Sequence, residues 1–420
     1  MSQKRRIQVV VGEARHVVGE LIFDENPLRP HSVFSYDENW IANPSAFPLS
    51  PQMPLTSTWV SFSGSGRNVL PNPISDAAPD NWGRSVIQSA LGRIPNELEY
   101  LLGANDDTRT GALRFVDENG QIRSTDTPPI PRIHSLIDLR RLNQDFESRD
   151  SDVGLIARQL RGTGDSLGGA RPKSVVYDGQ ALSIAKYSSV KDELPVERME
   201  VATLRLAKDV GIRASTAKIE LEDSTHPVAI IHRFDREGSN RVPYISGRSF
   251  IDLRDDTEPT YYTDLVDVMR GHCGNGEQTR TELKELYRRI VFTILVSNTD
   301  DHMKNHGFLW TQPGRWSLSP AFDINPQPIG RTHLKTGISE LSGLQPSIQA
   351  AIEAAPLFEI EEQIASGMAF EMATKIQNTW RQKCAQVGMT ARDILNYEPA
   401  FEHPEMKFAL NLATISVVVP

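Results

Sequence analysis

An Asp, an Asn and a second Asp stand where phosphoryl transfer needs a base and two metal ligands, in the segment SNTDDHMKNHGFLWTQPGRWSLSPAFDINP (297–326). Asp300 and Asn305 are five apart, the Asp-to-Asn spacing of a kinase catalytic loop. Asp323 follows Asn305 by eighteen residues. Between them, the apolar runs 308–310 and 316–318 flank a turn over 311–314 and predict a hairpin. A carboxylate leaving that hairpin can join Asn305 in holding Mg2+ on ATP phosphates. Mg2+ takes hard oxygen ligands and keeps several waters, so one Asp, one Asn and phosphate oxygens suffice. Asp300 and Asp301 could simply cap turns. However, five of the six positions 300–305 are polar or ionisable and follow an apolar helix, which is more than capping requires.

A second constellation, GTGDSLGGARPKSVVYDGQALSIAKY (162–187), would supply the phosphate end of such a site. Gly168 and Gly169 carry no Cβ, so backbone N–H groups there can approach phosphate oxygens. The loop runs into a strand predicted over 174–177. Asp178-Gly179 signals a two-residue turn, and the return strand 182–187 carries Lys186 between apolar neighbours. A helix follows from about Pro195 to Val210, with Gly211 suited to its C′ position. In kinases a helix glutamate pairs with the strand lysine, and Glu200 and Glu197 are both candidates. The apolar strand 228–231 then leads into His232-Arg233-Phe234-Asp235-Arg236, where kinases bind adenine through backbone groups.

The remaining elements are those needed to carry these two constellations. Residues up to about 112 are rich in strand and turn signals: a hairpin over 7–11 and 16–23, and a short helix over 81–91 behind Asp80 as a candidate cap. Residues 117–132, with three prolines, read as a linker, and a helix is expected over 134–146. From Asp264 onward the pattern is helical. Thr279 and Glu282 read as a capping box, ahead of Leu283, Leu286, Ile290 and Ile294 at helical spacing. Helices are also expected over 370–386 and 391–395.

Composition bounds the rest. The 420 residues are 39% hydrophobic with a net charge of −9, the profile of a globular chain long enough for two or three cores. The acidic balance argues against an autonomous nucleic-acid surface. Only Cys273 and Cys384 occur, too few for a disulfide framework or a cysteine zinc site. No apolar run approaches the roughly 20 residues of a membrane span, and the five-residue run ending at Gly12 is too short for a signal-peptide core. The expected location is the cytoplasm, with no membrane partner.

The motifs FSYDENW (34–40), SDAAPDNWGR (75–84), SLGGARPK (166–173), HRFDR (232–236), NTDDHMKN (298–305) and SPAFDINP (319–326) together resemble the HipA-like serine/threonine kinases, toxins of bacterial type II toxin–antitoxin pairs. Met303 stands where that family more usually has Leu or Ala. The resemblance implies an α+β, two-lobed kinase-like fold. Its expected parts are a β-rich N-terminal subdomain (1–112), a small lobe with the Gly-rich loop (113–240) and a helical large lobe with the catalytic loop (241–420). It implies Asp300 as catalytic base, Lys186 on the α/β-phosphates of ATP, and Asn305 and Asp323 on Mg2+. Gly168, Gly169, Ala170, Arg171, Pro172 and Lys173 would cover the phosphates, and His232, Arg233 and Phe234 would contact adenine. His302 and Lys304 would touch phosphate or hold the loop. Ser166 matches the serine that family members autophosphorylate. The implied partners are a HipB-like helix-turn-helix antitoxin, operator DNA through that antitoxin, and a protein substrate such as an aminoacyl-tRNA synthetase. Two other readings use the same residues: a small-molecule or lipid kinase, and a catalytically idle co-repressor.

Overall fold

The computed structural model describes residues 4–415, apart from 27, 65, 123–128, 150–151, 165–168, 255–256, 313 and 330–331. The protein is α+β and divides into two compact units. Residues 1–191, 230–254 and 309–313 form the first, and 192–229, 255–308 and 314–420 the second.

The first unit begins with β1 (Lys4–Val11), β2 (His16–Asp24), β3 (His31–Tyr36), β4 (Val60–Ser63) and β5 (Leu113–Val116), ordered β4-β3-β2-β1-β5 and antiparallel throughout. The predicted hairpin is β1–β2, with a register shift between Val9 and Val10. One face of the sheet buries Ile7, Val9, Leu21, Phe23, Phe34 and Phe115 together with Leu70, Ile74 and Leu101, and sealing such side chains from water stabilises each by about 1.5–3 kcal/mol. The Asn81–Leu91 helix has the bounds its sequence predicts. It packs through Trp82, edge-to-face with Phe146 at 5.3 Å between ring centroids. Phe146 lies on the Leu136–Ser148 helix, which starts two residues later than expected because a 3-10 turn, Ile133–Ser135, precedes it.

The same unit carries a second hairpin, β6 (Lys173–Asp178) and β7 (Ala181–Tyr187). Asp178 pairs with Ala181, so the two-residue loop is Gly179-Gln180, one position later than Asp178-Gly179. The reason is conformational: Gly179 takes φ +63° at the first loop position, which glycine adopts without steric cost.

The second unit is mainly helical. The Val196–Asp209 helix starts after Pro195 and ends before Gly211 at φ +83°, as its sequence predicts. The Gly276–Leu295 helix begins earlier than expected. Its capping box is Asn275 with Gln278, and Thr279 and Glu282 lie inside the helix. The Asn275 side chain accepts from the Gln278 N–H while the Gln278 side chain accepts from the Asn275 N–H, so the first turn is satisfied before Thr279 is reached. Further helices run over Glu362–Gln386, Ala391–Phe401 and Pro404–Ile415. Trp380 stacks on Phe401 at 4.5 Å. Among the described residues, no helix is long and apolar enough to cross a membrane.

Candidate active site

In the first unit, Lys173 and Lys186 are cross-strand partners on β6 and β7. Directly paired residues of an antiparallel ladder project to the same face, so both lysines leave the hairpin on one side. Lys173 is buried. Its Nζ lies over the backbone of Gly169, where an added Cβ would sit 2.6 Å from it and where φ is +85°. The positive φ favours glycine there, whereas the lysine's flexible end could shift aside. Gly169 is further held at its backbone: its N–H donates to Asp80 Oδ2 at 3.1 Å, and its carbonyl accepts from the Trp82 N–H at 3.1 Å. Asp80 was expected to cap the Asn81–Leu91 helix, but its side chain makes no capping bond. It pairs with Arg67 and Gly169. The Pro172 carbonyl accepts from the Tyr187 N–H, continuing the hairpin toward the loop. Ala170 is exposed and Arg171 half-buried. Ser166 and Gly168 lie outside the described residues.

The HRFDR segment leaves β8 (Val228–His232). The Arg233 N–H donates to the Leu182 carbonyl of β7 at 3.1 Å. Its guanidinium binds both oxygens of Asp235 and the carbonyls of Thr108 and Arg109. Both groups of Arg233 are therefore engaged within the protein. Asp235 also accepts from Arg236 and from the Gly111 N–H at 2.7 Å. Burial alone would raise its carboxyl, but Arg233 and Arg236 outweigh burial and hold it far below the usual range. His232 faces Asp178 at 3.7 Å, and Phe234 lies against Tyr244.

In the second unit, the Gly276–Leu295 helix hands the chain to Ser297, which takes a left-handed φ of +53°. Asp300 is exposed, whereas Asp301 is buried. Asp301 Oδ2 accepts from Tyr262 Oη at 2.5 Å and faces His306 Nε2 at 3.1 Å. Burial would raise its carboxyl, but His306, the Tyr262 hydroxyl and His302 prevail and hold it below the usual range. Asn305 is buried at the end of a 3-10 turn, its N–H donating to the His302 carbonyl at 2.8 Å. Lys304 and His302 are half-buried. His302 Nδ1 is shielded from solvent and has no hydrogen-bond partner among the described residues.

The Asp323 segment is tied to this loop. Asn298 Oδ1 accepts from the Asn325 N–H and the Ser297 carbonyl from the Gln327 N–H, each at 3.0 Å. Asp323, half-buried and left-handed at φ +56°, accepts from Asn325 Nδ2 at 3.0 Å. Upstream, Glu282 Oε2 accepts from the Leu318 N–H at 3.0 Å, and Arg289 donates to the Ser319 carbonyl at 2.7 Å. Residues buried in the Gly276–Leu295 helix thus fix the path into Asp323. Glu197 and Glu200 are both buried, which excludes a solvated role for either.

The oxygen donors of Asp323 and Asn305 fit Mg2+, which needs few protein ligands when phosphate and water complete its shell. Among the described residues, no three His, Cys, Asp or Glu side chains are grouped to hold a metal, and the His306 ring is engaged by Asp301. The anchors that sequence reasoning missed, Asp80, Tyr262, Glu282 and Asn325, act through partners distant in sequence or through backbone groups. Asp80 and Asn325 fall inside the motifs SDAAPDNWGR and SPAFDINP, which is the signal that could have found them.

Comparison with known proteins bears on both units. The family model of the HipA N-terminal domain matches residues 8–116, and that of the HipA-like C-terminal domain matches residues 165–380. A Haemophilus influenzae protein described as "Putative kinase" is 22% identical over 220 residues, 47% of this chain and 63% of that protein. The match thus spans less than two thirds of that relative's length. Among solved structures, HipA of the Shewanella oneidensis toxin–antitoxin system, in a complex with HipB and operator DNA, superposes with a TM-score of 0.70 at 17% identity. That match covers 99% of this chain and 100% of the Shewanella chain. The Helicobacter pylori proinflammatory kinase CtkA gives 0.44 at 11% identity, over 60% of this chain and 95% of the other.

Proposed function

The chain belongs to the HipA family of kinases, and from that premise we propose that it transfers the γ-phosphoryl group of ATP to a serine or threonine hydroxyl of a protein. One observation carries this reading. Asp300 is exposed in a loop whose next residue is buried and pinned, and that loop is hydrogen-bonded to the segment bearing Asp323. An exposed carboxylate on a fixed backbone can accept an incoming hydroxyl's proton and hold its oxygen in line.

Lys186 and Lys173 receive the phosphates. The two lysines are paired across the hairpin on one face, a placement that suits two cations to one polyanionic group. Asn305 and Asp323 hold Mg2+, which when bound neutralises charge on the phosphates. The Gly169–Lys173 segment covers the phosphates, and His302 and Lys304 contact phosphate or hold the shape of their loop. Ser166 is the autophosphorylation site, where a phosphoserine of about −1.5 to −2 charges would repel ATP.

The Shewanella relative sits in a complex with HipB and operator DNA. By extension this chain is restrained by a HipB-like helix-turn-helix antitoxin and reaches DNA through it, a route open to a protein of net charge −9. Its substrate is a translation component, an aminoacyl-tRNA synthetase by family resemblance, and its place of action is the cytoplasm.

The test is incubation of the pure protein with labelled ATP, Mg2+ and candidate acceptors, followed by identification of the labelled species. Label on serine or threonine of a protein, abolished by EDTA and by Asp300→Ala, is expected. Label confined to lipids or small metabolites, or none at all, overturns the assignment.

A further inference from the structure

We propose that Asp301 is a positioning residue for phosphoryl transfer: its buried carboxylate fixes the backbone from which both Asp300 and Asn305 project. The proposal rests on the kinase reading and deepens it, since Asp301 itself has the wrong spacing to be the base.

The geometry is that of a clamp. Asp301 Oδ2 accepts from Tyr262 Oη at 2.5 Å, faces His306 Nε2 at 3.1 Å and lies 3.5 Å from Thr293 Oγ1. All four residues are buried. Tyr262 opens the Tyr262–His272 helix, and Thr293 lies in the last turn of Gly276–Leu295. One carboxylate therefore ties the loop to two helices. His306 brings the far end of the loop to the same oxygen, with its ring edge-to-face on Tyr262 at 5.4 Å. Residues 301 and 306 thus close the loop around 302–305, inside which Asn305 N–H bonds the His302 carbonyl.

Each proposed functional residue immediately precedes a clamp residue: Asp300 before Asp301, and Asn305 before His306. A shift of the carboxylate moves both at once. A carboxylate in an apolar interior is costly unless its lone pairs are satisfied, so its place is set by the donors around it and not by solvent. The tool is alignment, and misplacement of about 1 Å in such a site costs on the order of a hundredfold in rate.

The experiment compares wild type with Asp301→Asn and Tyr262→Phe. Asp301→Asn keeps the side-chain shape but removes the charge that holds His306. Tyr262→Phe keeps the carboxylate and removes one donor. Readouts are kcat and KM for ATP, amide hydrogen exchange over 302–306, and thermal melting. Asp301→Asn should lower kcat by about tenfold to a hundredfold, leave KM for ATP within about twofold, and speed exchange over 302–306. Tyr262→Phe should move kcat and exchange the same way by a smaller factor. Wild-type kcat in Asp301→Asn overturns the positioning role while leaving the kinase reading intact. So does a loss of kcat, ATP affinity and melting temperature in step, the mark of a merely structural residue. If Asp301→Asn does not fold, Tyr262→Phe decides: slower turnover with unchanged KM and faster exchange supports the clamp, and unchanged turnover overturns it. A wild-type protein that labels no acceptor, itself included, refutes the kinase reading and this role with it.

Discussion

Asp235 in the first unit and Asp301 in the second are both buried aspartates beside a segment assigned to function, yet they are neutralised in different ways. Asp235 sits among Arg233, Arg236 and the Gly111 N–H, two permanent cations and a backbone donor. Asp301 is satisfied by a phenol and an imidazole. In each, burial pushes the carboxyl up and the neighbours pull it down further, but only Asp235 is driven far below the usual carboxylate range. The first arrangement is a strut: removing the carboxylate strands two guanidinium groups in a poorly hydrated interior. The second is a set of hydrogen bonds whose donors tolerate the loss better. Strong ion pairing marks the segment that must stay put, and lighter polar bonding marks the loop that must only be aligned.

That contrast can be tested in order of expected effect. The exposed neighbour of the clamp sets the upper end: Asp300→Ala should slow phosphoryl transfer by about 10²–10⁴-fold, with melting little changed because Asp300 is exposed. A drop in melting temperature there would mean that the exposed and buried roles of 300 and 301 are not separate. Next, Asp235→Ala should cost about 3–5 kcal/mol of unfolding free energy in urea titrations, the range for breaking a buried pair from one side. Asp301→Ala should cost less, about 1–3 kcal/mol, as for buried donors left without an acceptor. Equal losses in the two variants would break the comparison. Smallest near neutrality is the response to acid. Both carboxyls are depressed in the folded state, so each contributes stability that is present above the unfolded value of about 3.9 and is lost as pH falls toward the folded value. Melting should therefore hold from pH 7 to about 5 and fall below about 4, less steeply in Asp235→Asn than in wild type.

Much of this was readable in the chain because it is local. The Asp300–Asn305 spacing, the Asn81–Leu91 helix and the β1–β2 hairpin depend on neighbours within a few residues. The capping box was misplaced for a local reason too. Thr279 and Glu282 satisfy the pattern as written, but Asn275 and Gln278 satisfy it four residues earlier and win. Glu282, freed from capping, turns inward to Arg213 and the Leu318 N–H. The turn after β6 moved by one residue because glycine, and not aspartate, takes the left-handed position. What could not be read was long-range partnership. Asp301 meets Tyr262 across 39 positions, Asp80 meets Gly169 across 89, and Gly111 meets Asp235 across 124. No periodicity encodes such pairs. Asp80 looked like a cap because it stands where caps stand, and only the fold shows that its side chain is spent elsewhere.

The charge cluster of the first unit also bears on how this chain can be cut and recombined. Asp106 binds Arg114 and Arg241, and Asp235 reaches Gly111, while Arg233 and Arg236 reach the carbonyls of 107–111. The stretch 106–114 and the stretch 233–241 therefore form one mosaic of ions divided between two distant places in the gene. A chimera that takes its first 116 residues from another family member inherits half of that mosaic. It will fold only if the donor carries matching acids and arginines, so the two stretches should travel together in any exchange that survives.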